Sequence, residues 1–382
     1  MIKTMGYYIF ALVYYLCRLF PQGRKRVFCI MTHDDGDDSN VRLLIKELER
    51  VKKGYTFSFI SKSEANIVKG FKSLPMLMSF FFKKPYLMAR SSIILMDNVF
   101  LPMAYIRVGK NVKVVQLWHG TGTIKKFGQD SNTGRLKELE NRANRNITHL
   151  IVNNQSTARL YAKAFGVGID KLYPVGLPKT DDILYRLWKM DGGKVNKDKE
   201  LIYKRKHLSP NQKLILYAPT FRDSNIRSEK TLKQVKDLAR LLPDDYVLGV
   251  RLHPFVAKQA REGLPERVCN LSDERSLTSL LMAADILITD YSSIVFEYCI
   301  TKKPMIFYAY DLDEFSDQGR GFYEDYINYV PGPVARTSKE VIDIIKEERY
   351  SIDRIEAFNA ENFPFLDGKA ASRIIDLITN SK

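Results

Sequence analysis

From residue 26 onward, apolar runs of strand length alternate with longer stretches whose apolar residues fall at helical spacing. Residues 27–31 (VFCIM), 55–60 (YTFSFI), 92–98 (SIILMDN), 113–118 (KVVQLW) and 149–154 (HLIVNN) read as strands. Residues 40–51 and 135–146 read as helices between them. Such alternation predicts an open α/β layer with a parallel sheet and right-handed crossovers. A polar, lysine-rich stretch, 179–208, interrupts the pattern. The rhythm then restarts with 213–219 (KLILYAP), 246–254 (YVLGVRLHP), 266–272 (ERVCNLS), 286–290 (ILITD) and 305–310 (MIFYAY). The expected organisation is a segment 1–26, an α/β domain 27–180, a basic hinge 181–208 and a second α/β domain 209–382, with ligand held in the cleft at the C-terminal ends of strands.

Two stretches stand outside this rhythm. Residues 5–20 (MGYYIFALVYYLCRLF) are apolar but broken by Arg18 and followed by Arg24, Lys25 and Arg26. They are short of the roughly 20 apolar residues of a full span and lack a small-residue cleavage site. Tyrosines such as Tyr14 and Tyr15 beside cations suit a helix lying in the headgroup region, against the plainer reading of a core-packed first helix. Residues 73–90 repeat the theme, with Phe80, Phe81 and Phe82 running directly into Lys83 and Lys84. Together they predict an N-terminal membrane-surface segment and a peripheral protein at the cytoplasmic face of the membrane, drawn to an anionic surface.

Composition narrows the class. Of 382 residues 45% are hydrophobic and 27% charged, which excludes a disordered chain and a multi-span membrane protein. The net charge of +16 favours polyanionic partners. No nucleic-acid motif accompanies it, and no nucleic-acid partner is expected. Cys17, Cys29, Cys269 and Cys299 are too widely spaced for a zinc site or a disulfide framework.

Candidate chemistry clusters at four predicted strand ends. The first delivers His119, Gly120, Thr121 and Gly122 into a loop; a histidine there could act as general base, though an isolated His-Gly is more often a packed turn. The second follows Pro219 with Thr220 and Arg222, whose planar fork suits phosphate. The third, VRLHP, is expected to present Arg251 and His253 on one strand face. In the fourth, Asp290, Tyr291, Ser292 and Ser293 join strand to helix, and either serine could cap that helix beside its unpaired N–H groups.

These motifs in this order, above all the block AADILITDYSSIVFEYCITKKPMIFYAYDLDEFSDQGRGFYEDY, resemble the CDP-glycerol:poly(glycerophosphate) glycerophosphotransferase family. The resemblance implies two Rossmann-like domains facing a cleft (GT-B-like) and transfer of glycerol phosphate from CDP-glycerol, or ribitol phosphate from CDP-ribitol, to an undecaprenyl-diphosphate-linked saccharide in teichoic acid biosynthesis. A sugar-nucleotide glycosyltransferase of the same architecture is the rival. It further implies that His119 and His253 are catalytic and that Gly120, Thr121, Thr220, Arg222, Arg251, Asp290, Ser292 and Ser293 serve the substrate, Asp290 mainly by orienting the serine loop. The chain's length resembles that of members that add the first units. Gly122 replaces the proline of familiar members, which predicts a looser loop. No cofactor is expected. The acidic run Asp34, Asp35, Asp37, Asp38 reads as a solvated loop, so no obligatory metal is expected either.

Overall fold

The structure, a computed structural model, describes residues 2–65, 74–190, 195–220, 225–253, 256–257, 263–318 and 321–380. The chain divides into two compact units: residues 1–121, 127–182 and 363–382 form the first, and 122–126 with 183–362 the second.

The first unit carries β1 (Gly23–Met31), β2 (Thr56–Ser61), β3 (Ser91–Met96), β4 (Lys113–Gln116), β5 (His149–Val152) and β6 (Leu172–Pro174). They form one parallel sheet in the order β2-β1-β3-β4-β5-β6. Strands such as β1 and β3 are apolar on both faces because both are covered. Phe28, Ile30, Ile94 and Met96 pack on one side, and Cys29, Met31, Ile93 and Leu95 on the other. The helix Asn40–Val51 buries Val41, Leu44, Ile45 and Leu48, and is capped by Ser39, whose Oγ accepts from Arg42 N.

The second unit repeats the design with β7 (Lys213–Ala218), β8 (Tyr246–Val250), β9 (Val268–Asn270), β10 (Ile286–Thr289), β11 (Met305–Tyr308) and β12 (Val334–Ala335). Its parallel order is β12-β11-β10-β7-β8-β9. The expected α/β class with two parallel sheets is what the chain adopts.

Several sequence expectations need correction. Residues 181–208, expected as a basic hinge, are largely helical: they lie in the helices Pro178–Met190 and Lys197–Lys206, whose cations are tied in ion pairs such as Arg186–Asp198 and Lys199–Asp285, and the boundary between the units falls at residues 182/183. The last helix, Ala370–Thr379, belongs to the first unit, where Ala371, Ile374, Ile375 and Ile378 complete the core beneath β1 and β3.

The N-terminal helix Ile2–Cys17 is not all surface. Phe10 and Tyr14 are buried beside Phe80, Met88 and Phe100, so Tyr14 and Phe80 are core residues. Lys84 is likewise no loose cation: its Nζ donates to Phe59 O (2.5 Å) and pairs with Glu64 (2.7 Å). Tyr15, Phe82 and Lys83 are exposed, and Phe81 is half-buried. The opposite face of the first helix presents Met5, Tyr8, Leu12 and Leu16 to solvent, Leu12 at 61% exposure, and Leu19 just beyond it reaches 85%. No helix among the described residues is long and apolar enough to cross a membrane.

Candidate active site

In a doubly wound sheet the strand order reverses at one place, and the loops leaving the two strands there diverge and open a crevice. In the first unit that place lies between β1 and β3. Asp97, the residue after β3, spans it. Its carboxylate accepts the backbone N–H groups of Thr32 (2.9 Å), His33 (3.1 Å) and Asp34 (2.8 Å), all just past β1. Asp97 is 1% exposed, and burial lifts its pKa to about 6 against the pull of those three donors.

His119 arrives from the next strand. After β4, Leu117 N still bonds Met96 O (2.8 Å), and Trp118 N bonds its neighbour Gln116 Oε1 (3.0 Å). Trp118 then takes a left-handed conformation (φ 53°), costly for a residue with a β-carbon. The turn is held because Asn40 donates to the Trp118 carbonyl (3.2 Å) and the indole packs on Phe127 and Phe165. His119 follows with Nδ1 3.0 Å from the Asp97 carbonyl oxygen, which fixes Nδ1 as the protonated nitrogen and leaves Nε2 with its lone pair. Its ring contacts Trp118 (centroids 4.0 Å apart, 35° between planes) and stacks on His33 (3.5 Å, 12° between planes). Burial holds its pKa well below the usual histidine value, reinforced by His33, Lys179 and Lys62 and opposed by the Asp97 carbonyl. At neutral pH His119 is therefore an uncharged base.

Gly120 and Thr121 are buried. The Gly120 carbonyl accepts from Tyr161 OH (3.1 Å) and the Thr121 carbonyl from Asn153 Nδ2, so both hold the loop that carries His119. Gly122 itself is closely enclosed. A β-carbon there would lie 2.4 Å from the Phe296 ring, which marks a close packing contact of the second unit. The acidic run is not simply solvated either: Asp38 is buried, and Asp34 pairs with the buried Lys179 at 3.5 Å.

The second unit reverses strand order between β10 and β7, and again an aspartate spans the place. Asp290 follows β10, is fully buried, and its Oδ1 accepts from Thr220 N (2.8 Å), past β7, and from Tyr291 N (2.6 Å). Asp290 thus ties the start of the serine loop to the chain leaving β7. Tyr326 OH donates to the Asp290 carbonyl and Tyr291 OH to Asp311, so the serine loop is braced from behind. Ser292 and Ser293 are half-buried. Neither is a strong cap: Ser293 is in helical conformation with no side-chain cap bond, and Ser292 Oγ lies 3.4 Å from Ile294 N.

β8 ends at Val250, so Arg251 and His253 do not share a strand face. Leu252 N turns away to Ser272 Oγ (3.0 Å), the Arg251 guanidinium donates to Glu274 O (2.7 Å), and His253 is exposed. Arg222 lies outside the described residues. Since β10, β7 and β8 are parallel neighbours, Asp290, Ser292, Ser293, Thr220, Arg251 and His253 all emerge at one sheet edge.

Sequence reading missed His33, Asp97, Lys125 and Lys179. His33 and Asp97 stand at predicted strand ends, the same signal that singled out His119. Lys125 follows the His-Gly-Thr-Gly motif, and its Nζ lies 3.4 Å from Thr220 Oγ1, adding a cation at the second cluster.

Comparison with known proteins decides the family. The profile of the CDP-glycerol:poly(glycerophosphate) glycerophosphotransferase family matches residues 12–380. The chain belongs to this family. Among curated relatives of this family member, the teichoic acid poly(ribitol-phosphate) polymerase of Bacillus spizizenii is 36% identical over 99% of the chain, which spans 60% of the polymerase's length. The teichoic acid glycerol-phosphate primase of Bacillus subtilis is 29% identical, over 98% of the chain and 96% of the primase. In fold it is similar to the wall teichoic acid polymerase TagF (TM-score 0.77, 22% identity, 96% of this chain and 92% of that one).

Proposed function

We propose that this family member transfers glycerol phosphate from CDP-glycerol to a lipid-linked saccharide, releasing CMP, and adds the first units of a teichoic acid. The observation that carries the reading is His119: uncharged, with Nδ1 committed to the Asp97 carbonyl and Nε2 available to take a proton. His119 removes the proton of an acceptor hydroxyl, whose oxygen bonds to the β-phosphorus of the donor. The bond from that phosphorus to the bridging oxygen breaks, and CMP leaves with the electron pair. Lys125, Arg251, His253 and Arg222 are the groups we assign to the phosphate charge, with Ser292 and Ser293 at the donor loop. The match with the glycerol-phosphate primase supports a first-unit role. A second reading, transfer of ribitol phosphate from CDP-ribitol, is favoured by the 36% identity to a ribitol-phosphate polymerase.

We also assign the enzyme to the cytoplasmic surface of the membrane, where a lipid-linked acceptor resides. Support comes from the outer face of the first helix and from the cations Arg24, Lys25 and Arg26 beyond it.

The deciding experiment incubates the protein with CDP-glycerol or CDP-ribitol and a lipid-linked disaccharide, then weighs the product. An added mass of one or a few glycerol phosphates is expected, and no product from either donor would reject the reading. His119→Ala should lower turnover by about a hundredfold or more while the CDP-alditol still binds, since only proton removal is lost. Normal turnover would remove His119 from the mechanism.

A further inference from the structure

We propose that His33 is a positioning residue for His119, clamping the base face-on and limiting the two rings to one proton between them. The inference rests on the reading of His119 as general base, and extends it to a residue that no part of that reading uses.

The geometry is specific. The two imidazoles are stacked with centroids 3.5 Å apart and planes 12° from parallel, and the Trp118 ring also contacts His119, tilted by 35° at a centroid distance of 4.0 Å. With Nδ1 at the Asp97 carbonyl, the ring of His119 is defined in both tilt and rotation, so Nε2 has one direction. His33 is itself placed by the same residue, since its backbone N–H donates to the Asp97 carboxylate. One aspartate at the point where the sheet order reverses therefore sets the base through its carbonyl and the clamp through its carboxylate.

Stacking two imidazoles also has an electrostatic consequence. Protonating one ring opposes protonation of the other across the stack, and the pair titrates as a coupled unit. The other charged groups facing the pair are the carboxylates of Asp97 and Asp34 and the cations Lys179 and Lys62; the two cations, like His33, act to keep His119 neutral. His33 thus preserves an unprotonated base as the pH falls, which a phenylalanine in its place would not.

The test uses the full chain labelled with 15N-histidine, following each ring's tautomer and titration by NMR beside the pH profile of kcat/KM. In His33→Phe the flat ring is kept and the charge removed. The His119 midpoint should rise by about one pH unit and the acid limb of the profile should move up with it by the same amount, while activity at pH 8 changes little. In His33→Ala the clamp is lost as well, and kcat should drop about tenfold at all pH values with the KM for CDP-alditol unchanged. His33→Gln, neutral and polar, supplies the same charge readout if the phenylalanine does not fold. An unmoved His119 midpoint together with an unmoved acid limb in the neutral variants overturns the proposal. Failure of the underlying reading looks different: His119→Ala would then keep its turnover while the two histidines still titrated as a coupled pair in the unaltered protein.

Discussion

Asp97 does two tasks with one residue, and the cost of its burial makes a pH prediction. Its folded pKa of about 6 lies above the usual carboxylate value, so as pH rises the unfolded chain gives up this proton first. The stability associated with the neutral carboxyl is complete below about pH 4 and is lost as pH rises through about 6. An amide cannot ionise, so Asp97→Asn should remove that slope while costing a constant amount for the changed hydrogen bonds. Thermal melts of both proteins from pH 4 to pH 7 read the difference; parallel curves would refute it. His119 in the same cluster is a case where the sequence motif indicated the residue but not its environment. A histidine after a strand and before glycine was legible, whereas the carbonyl that sets its tautomer and the ring stacked upon it come from strand ends some 20 and 90 residues away. Asp97 and His33 share with His119 a place at a strand end, but no glycine-flanked motif follows them to mark them out.

At the scale of elements, legibility followed length and exposure. Long apolar strands such as β1 and β7 were evident, while β6 (Leu172–Pro174) and β12 (Val334–Ala335) are too short for any period to show. The lysines of residues 179–208 masked two helices, because the apolar positions that pack, Ile183, Leu184, Ile202 and Tyr203, are few beside the charged ones. Gly122 shows the opposite problem: a small residue suggests freedom, but here it admits an aromatic ring. Gly122→Ala would place a methyl group 2.4 Å from Phe296 and should destabilise the protein by about 1–3 kcal/mol in urea unfolding, with partial relief when Phe296→Leu is added. Equal stability of Gly122→Ala and the parent would show that the ring yields freely. The first helix divides its residues cleanly between core and surface. Leu12→Ser with Leu16→Ser should therefore weaken sedimentation with anionic liposomes and leave the melting temperature nearly unchanged. Undiminished sedimentation would place the attachment elsewhere. Substitution at Phe80 would not serve for this purpose, since it removes core.

Across the whole molecule the same device occurs twice. In each sheet the order reverses once, and at that place a buried aspartate ties the end of one strand to the loop leaving its neighbour: Asp97 to residues 32–34, and Asp290 to Thr220. The chain also returns at its end to the unit it began. Asp181 accepts the N–H groups of Ala370 (3.1 Å) and Ala371 (2.8 Å), Lys113 reaches the carbonyls of Leu377 and Asn380, and Ile374 and Ile375 fill the core below β1. Ile374→Ala should cost about 2–5 kcal/mol, and amide exchange should quicken in β1 and β3 with little change in β7 and β10. Uniform acceleration in both sheets would mean that the two units open together. The return of the last helix bears on biosynthesis. A chain leaving the ribosome ordinarily completes its domains in order from the N-terminus. Here residues 183–362 can assemble while the sheet made first still lacks the helix that closes one of its faces. The apolar underside of β1 and β3 therefore stays open to water, or to a chaperone, until residues 363–382 have been made.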